Sequence, residues 1–280
     1  MTDRLYSEFP ALYDTIQSEW DYDRDVSFLL AAAERHGVCA VADGAVADGA
    51  AVDVAAADGA VAGTGDACLA ETDDPATEVD GVPLLEVGCG TGEHTRRLAA
   101  AGFAPTAVDP NRAVVDYARE KAPSLDADFV VGGLPELPVA GTFPVVVAFR
   151  GVLNHLPPAA LDAAVATLAD RVADDGLLVF DVSDLPPDGH DYPALDVGEG
   201  PAGTYARIVQ MHPRPDGRLD WDAVVFPPDG EPFVDSRPMT PFDDETVRSA
   251  LVDAGLSVET HEGFGPDDDA RTVFVARPAE

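Results

Sequence analysis

The sequence predicts an α/β protein built on a doubly wound, mostly parallel seven-stranded sheet, with a helical segment before it and an antiparallel ribbon inserted late. Three observations carry this. From Val82 onward, short apolar runs alternate with helical patterns, as they do when a parallel sheet is covered on both faces. The stretch LLEVGCGTGEHT (84–95) passes from an apolar run through three alternate glycines into polar residues, a strand–loop–helix unit. After Asp184 the alternation stops, and two closing strands make the last sheet edge antiparallel.

In chain order, YSEFPALYDTI (6–16) is a short aromatic segment broken by Pro10. WDYDRDVSFLLAAAERHG (20–37) follows with Tyr22, Val26, Leu29, Leu30 and Ala33 at helical spacing and Gly37 as the stop, so residues 1–38 are expected to be helical in the main. Residues 39–80 repeat ADGA three times and hold no aromatic residue and no consistent face. An acidic, mobile insertion is expected there rather than a solenoid or a calcium-binding repeat.

The third unit, 81–280, carries strand 83–87, a helix over 92–101, strand 105–109, a helix over 111–121 and strand 128–131. Strand 144–149, a helix over 158–173 and strand 176–182 complete the parallel part. The ribbon, about 203–236, centres on two strands in 205–226 around PRPDGR, whose Asp-Gly is a turn signal. A helix over 240–256 is capped by Thr240 or Asp243 and stopped by Gly255. Strands over 256–261 and 271–276 close the chain.

Composition narrows the function. There are 52 acidic residues against 17 basic ones, for a net charge of −35, and Lys121 is the single lysine. Such a surface repels phosphate backbones and anionic membranes, so neither nucleic acid nor a membrane is expected as partner. The composition resembles that of proteins from salt-accumulating haloarchaea. The three cysteines, Cys39, Cys68 and Cys89, form no C-x-x-C pair, and no metal site is expected. MTDRLYSEFPALYD lacks a basic region followed by an apolar core, and no apolar run reaches the roughly 18 residues that span a bilayer. A cytoplasmic protein is expected.

The glycine loop discriminates among ligands. A phosphate loop needs G-x-x-x-x-G-K-[ST], and a dinucleotide loop G-x-G-x-x-G. Here Gly88, Gly90 and Gly92 are alternate, Glu93 stands where the third dinucleotide glycine belongs, and Glu86 lies two residues before the loop. A carboxylate there suits a phosphate-free ligand with a cationic amino-acid part. The pattern E-x-G-x-G-x-G after a strand closely resembles the first motif of class I S-adenosylmethionine-dependent methyltransferases. The resemblance covers about residues 82–183 well and implies a Rossmann-like methyltransferase fold with S-adenosylmethionine as cofactor. It places the loop, Gly88, Cys89, Gly90 and Gly92, under the methionine part with Glu86 nearby. Asp109, followed by Pro110, ends the next strand and takes the ribose hydroxyls. Cys89 also reads simply as a small residue in a tight loop. Where the family carries Asp or Asn for the adenine amino group, this chain has Gly132 and Gly133, which leaves that contact to the Leu134 backbone or a displaced Asp128.

The flanks add a second resemblance. YSEFPALYDTIQSEWDY is similar to the N-terminus of small-molecule N-methyltransferases, including those that dimethylate amino sugars. It implies that a Tyr-Asp segment lies over the cofactor as a lid, with Tyr13 the matched aromatic and Tyr6 and Tyr22 weaker candidates. A histidine follows the fourth strand in that family, which matches His155 in FRGVLNHLPP. His155 is either an acceptor of the substrate's proton or a structural, hydrogen-bonded histidine. Phe149 and Arg150 are candidates for adenine or substrate contact. Tyr205, Arg207, His212 and Trp221 of the ribbon are candidates for lining the substrate site. The expected activity is methyl transfer to a small molecule, at nitrogen rather than oxygen. A catalytically silent cofactor-binding or assembly protein and a NAD-dependent oxidoreductase are the alternatives. Oligomeric state stays open, a homodimer included.

Overall fold

The computed structural model describes residues 3–38, 81–265 and 270–279, so the acidic insertion expected over 39–80 lies outside the described residues. Three helices open the chain: α1 (Arg4–Ser7), α2 (Pro10–Gln17) and α3 (Tyr22–Arg35). Pro10 starts α2 instead of breaking the segment, because proline at the first helical position needs no amide partner. The Asp21 side chain caps α3 by accepting from the Arg24 amide.

The main sheet is formed by β1 (Val82–Val87), β2 (Phe103–Asp109), β3 (Asp128–Val131), β4 (Phe143–Ala148), β5 (Val172–Ser183), β10 (Leu256–Glu262) and β11 (Arg271–Pro278), in the order β10-β11-β5-β4-β1-β2-β3. The five strands from β3 to β5 are parallel; β11 pairs antiparallel with β5 and β10 with β11. Chain order reverses between β1 and β4, which opens a crevice at their carboxyl ends. Helices α4 (Glu93–Ala100), α5 (Arg112–Lys121), α6 (Leu161–Ala169) and α7 (Asp244–Asp253) complete this unit.

Strand alternation assigns each residue to a face. Val146 and Ala148 of β4 pack with Val165 and Leu168 of α6 and Val247 and Leu251 of α7. Their neighbours Val145 and Val147 face the other way, onto Val26 and Leu29 of α3 and Leu98 of α4.

Two expectations change. The helix expected over 158–173 is a 3-10 turn at Pro158–Ala160 followed by α6, and β5 already begins at Val172. The ribbon is a four-stranded antiparallel sheet: β6 (Ala194–Gly200), β7 (Gly203–Pro213), β8 (Leu219–Phe226) and β9 (Phe233–Met239). Its inner face, with Tyr205, Val209, Ala223, Val225 and Phe233, buries Leu5 of α1 and Ile16 of α2. The two N-terminal helices are thus held between the small sheet and the mouth of the crevice.

Candidate active site

The glycine loop leaves β1 with Gly88 at φ +77, and a Cβ there would collide with Val152. Glycine is required on both counts, because it alone adopts that φ without strain and allows this approach. The Gly88 and Cys89 amides both donate to the Val108 carbonyl, at 2.7 and 3.0 Å, which moors the loop to β2. Asp109, ending β2, accepts the Gly90 amide at 3.1 Å and the Asn111 amide at 2.8 Å. Burial pushes its carboxyl up to about 6, against the pull of those two amides. The Gly132–Gly133 departure has a steric reason: a Cβ on Gly132 would collide with Pro138, and one on Gly133 would sit 3.1 Å from Pro110.

The segment after β4 is tightly braced. Arg150 and Gly151 both have positive φ, +66 and +70. A non-glycine residue holds that conformation at a cost, offset here by Asp181 at the end of β5. The fully buried Asp181 carboxylate accepts the Arg150 amide at 2.5 Å and the Gly151 amide at 2.9 Å, and takes Arg271 at 2.8 Å. Asn154 does the same work one turn later. Its side-chain oxygen accepts the Ser183 amide at 2.9 Å, and its nitrogen donates to the Thr240 carbonyl at 2.9 Å. His155 follows directly and stands at the crevice wall.

The N-terminal helices close the crevice through charge. Asp25 of α3, fully buried, meets His94 Nε2 at 2.9 Å and Arg150 Nη2 at 2.6 Å. Asp14 of α2 accepts from the Thr91 hydroxyl at 2.7 Å and pairs with Lys121 at 2.7 Å, and Lys121 also meets Glu93 at 2.5 Å. The single lysine therefore ties α2 to the start of α4, next to the glycine loop. Beyond it, Arg237 of β9 lies 4.3 Å from the ring centroids of both Tyr6 and Trp221 and pairs with Asp235 at 3.1 Å. Asp235 also accepts the Leu5 amide at 2.9 Å. Tyr6 stacks edge-on against Tyr13, with centroids 4.4 Å apart.

These elements enclose a cavity of about 280 Å³, near the small end of the range for ligand pockets, roughly 300–1,000 Å³. Of the residues singled out in the sequence, Tyr13, Gly88, Cys89, Gly90, Asp109, Pro110, Leu134, Phe149 and His155 line it together, as do Tyr6, Tyr22 and Arg150. Glu86 and Gly92 do not. Glu86 is 2% exposed behind the loop, accepts the Thr95 hydroxyl at 2.6 Å, and is pushed up to about 8, chiefly by burial. Gly92 caps α4 at φ +81 and faces Ala118 and Phe129.

Asp128 is exposed at the start of β3 and does not line the cavity, whereas Leu134 does. None of the ribbon candidates lines the cavity. Tyr205 is buried in the small sheet's core, Arg207 pairs with Asp196 at 2.5 Å, His212 is exposed, and Trp221 covers Arg237.

Sequence reasoning missed Asp3, Gln17, Trp20 and His94, all in the wall, and the bracing residues Asp25, Asp181 and Arg237. His94 had a signal, since it sits in the first turn of the helix that follows the glycine loop. The others come from distant elements that only the fold brings together.

His155 is open to the cavity yet ringed by protein. That enclosure, and the charge of Arg237, hold its imidazolium down to about 4, so it is neutral near pH 7. The wall offers a carboxylate at Asp109, loop amides in the middle, and Arg150 with His94 toward α3. Arg150 is the single arginine or lysine in the wall, among the described residues. This donor set fits a nucleoside bearing a zwitterionic amino-acid tail and is short of the cations a pyrophosphate would need.

Comparison with known proteins agrees with that chemistry. Residues 84–176 match the family model described as a methyltransferase domain. The chain is 30% identical over 202 residues to dTDP-3-amino-3,6-dideoxy-alpha-D-glucopyranose N,N-dimethyltransferase of Streptomyces fradiae, covering 70% of this chain and 76% of that protein. Matches to other curated methyltransferases span 41%, 40% and 50% of those proteins' lengths. Among solved structures, an S-adenosylmethionine-dependent methyltransferase from Clostridium acetobutylicum shares the fold over 98% of both chains, with a TM-score of 0.71 at 13% identity. CalS10, an amino pentose methyltransferase from Micromonospora echinaspora solved with S-adenosylmethionine bound, is 26% identical, with a TM-score of 0.57 over 70% of this chain and 83% of that one. The chain belongs to the S-adenosylmethionine-dependent methyltransferases.

Proposed function

We propose that this protein transfers a methyl group from S-adenosylmethionine to a nitrogen of a small-molecule acceptor. The observation that carries the reading is that Tyr13 of the lid and His155 after β4 meet in the same cavity as the glycine loop and Asp109. Asp109 would take the ribose hydroxyls, the Gly88–Gly90 loop would underlie the methionine part, Leu134 would face the adenine, and Arg150 would meet the tail carboxylate. The cofactor supplies a methyl already activated on a sulfonium, so the protein's task is alignment, and proximity alone can supply roughly 7–11 kcal/mol.

Tyr13 keeps its hydroxyl protonated, because burial raises it well above the ordinary range, and can donate or accept a hydrogen bond at the acceptor. His155, neutral, presents a lone pair to an acceptor N–H and so turns the nitrogen's own lone pair toward the methyl. With its basicity depressed to about 4, it holds no full proton at neutral pH; orientation and transient proton passage are the roles it supports. The names of the Streptomyces fradiae and Micromonospora echinaspora relatives, both amino-sugar enzymes, favour nitrogen over oxygen.

Two measurements test this. Calorimetry in molar KCl should detect S-adenosylhomocysteine binding, weakened by Asp109→Ala, which strips the Gly90 and Asn111 amides of their acceptor at about 1–3 kcal/mol. Profiling with an isotopically labelled methyl donor should find label on an amine, with His155→Ala about 10²-fold slower. Undiminished turnover in His155→Ala would remove that residue from the mechanism. Label found only on hydroxyl acceptors would overturn the nitrogen reading. Binding without turnover across amines and phenols would favour a silent cofactor-binding protein.

A further inference from the structure

We infer that Asp3 is the counter-ion that selects a cationic acceptor: the cavity takes its amine in the ammonium form, held against the Asp3 carboxylate. The inference rests on the nitrogen-acceptor reading and adds the charge state of the acceptor and the residue that recognises it.

Asp3 lies in the cavity wall together with Tyr6, Tyr13 and His155. It precedes α1 but makes no side-chain capping bond, and its Oδ1 is buried without a hydrogen bond. The Asp3 side chain is part-buried, and a carboxylate oxygen buried without a partner is costly to keep unless something compensates it. Among the described residues the arginine whose charge acts on it is Arg237, which is already committed to Asp235 and sandwiched between Tyr6 and Trp221. Asp3, Asp235 and Arg237 together carry a net charge of −1. Asp109 lies on the same side of the cavity, and its charge acts on Tyr6 as that of Asp3 does. The neutral His155 adds no cation. A cationic acceptor lowers the negative charge at this end of the cavity, and a neutral hydroxyl acceptor does not.

The chemistry is consistent with transfer to nitrogen. An ammonium sheds one proton to give the neutral amine, whose lone pair forms the new N–C bond as the methyl's bond to sulfur breaks and that electron pair stays on sulfur. The product is again a cation, so Asp3 faces a positive charge before and after the step. The proton leaves through water or His155, and Asp3 need only bind.

The test uses the full-length protein in molar KCl, labelled S-adenosylmethionine, and a panel of small primary and secondary amines paired with the alcohols and phenols of matching shape. Wild type should methylate amines and not their hydroxyl partners. Asp3→Asn should raise KM for those amines about tenfold while leaving kcat within about threefold. Asp3→Glu should recover most of the loss. The affinity for S-adenosylhomocysteine, read by calorimetry, should stay within about threefold in all three proteins, because Asp3 acts on Asp109 through its charge alone and makes no hydrogen bond to the glycine loop. An unchanged KM in Asp3→Asn, with amines still methylated, overturns the anchor alone. So does a loss of S-adenosylhomocysteine affinity equal to the loss in KM, which would make Asp3 a structural residue. A wild type that shows no preference for any amine over its hydroxyl partner overturns the anchor and the nitrogen reading together, while leaving the cofactor reading intact.

Discussion

Glu86 illustrates what a single residue's environment does to a motif. In the sequence it is a carboxylate suited to a cationic ligand; in the fold it is a buried group behind the loop, bonded to Thr95 and pushed up to about 8. The consequence for stability can be signed. Below the ordinary value of 4.5, Glu86 is protonated in the native and unfolded chains alike. As pH rises from 4.5 toward 8, the unfolded chain gains by ionising while the native one keeps its proton, so this group's contribution is lost over that window. Glu86→Gln, close in shape to the protonated carboxyl, should remove the loss. The variant's advantage over wild type in urea melts without cofactor should grow from pH 5 to pH 9, and parallel pH dependences would contradict it.

The loop glycines, Asp109 and His155 were legible because their spacing relative to strand ends is local information, and Tyr13 through the resemblance of the N-terminal segment. Asp3 and Asp181 were not. Asp181 owes its role to amides and an arginine far from it in the chain, and Asp3 to a cavity wall assembled from distant elements.

At the scale of elements, the strands and helices with a strong period emerged within a few residues of their observed ends: β1, β4 and α5 are examples. The small sheet was half seen. Its middle strands carry alternating apolar residues around an Asp-Gly turn, but β6 (ALDVGEG) is glycine-rich and largely exposed, and β9 (FVDSRPM) contains a proline and an inward-facing Asp235 and Arg237. Polar residues inside a strand hide the alternation that sequence reading depends on.

The segment after β4 is the element on which the site turns, and Asp181 is its brace. Asp181→Ala removes the acceptor of two amides in a positive-φ turn and a buried partner of Arg271, so a loss of about 3–5 kcal/mol is expected in urea melts. Asp181→Asn, which keeps the shape, should cost less. Because His155 lies only a few residues beyond the turn, both variants should also lose turnover, about 10²-fold for a displacement of 1 Å. A variant that is less stable but equally active when folded would mean that His155 is held by Asn154 alone.

For the whole molecule the governing quantity is a net charge of −35 on 280 residues. Like charges spread over the surface oppose the compact state, and added salt relieves the repulsion because the Debye length falls from about 10 Å at 0.1 M to about 3 Å at 1 M. The pairs that position the site respond differently. Asp25 and Asp181 are fully buried, so their bonds to Arg150 and Arg271 are little screened, whereas the Lys121 pairs with Asp14 of α2 and Glu93 of α4 are partly open to solvent. Tm should therefore rise steeply with KCl up to about 1 M and then level off, since screening is nearly complete once the Debye length is shorter than the spacing of surface charges. A rise that stayed linear well beyond 1 M would instead point to the general strengthening of apolar burial by salt. A Tm equal at 0.1 and 2 M would remove salt adaptation as the reason for the acidic surface. That result would shift attention to residues 39–80, which carry part of that charge and lie outside the described fold.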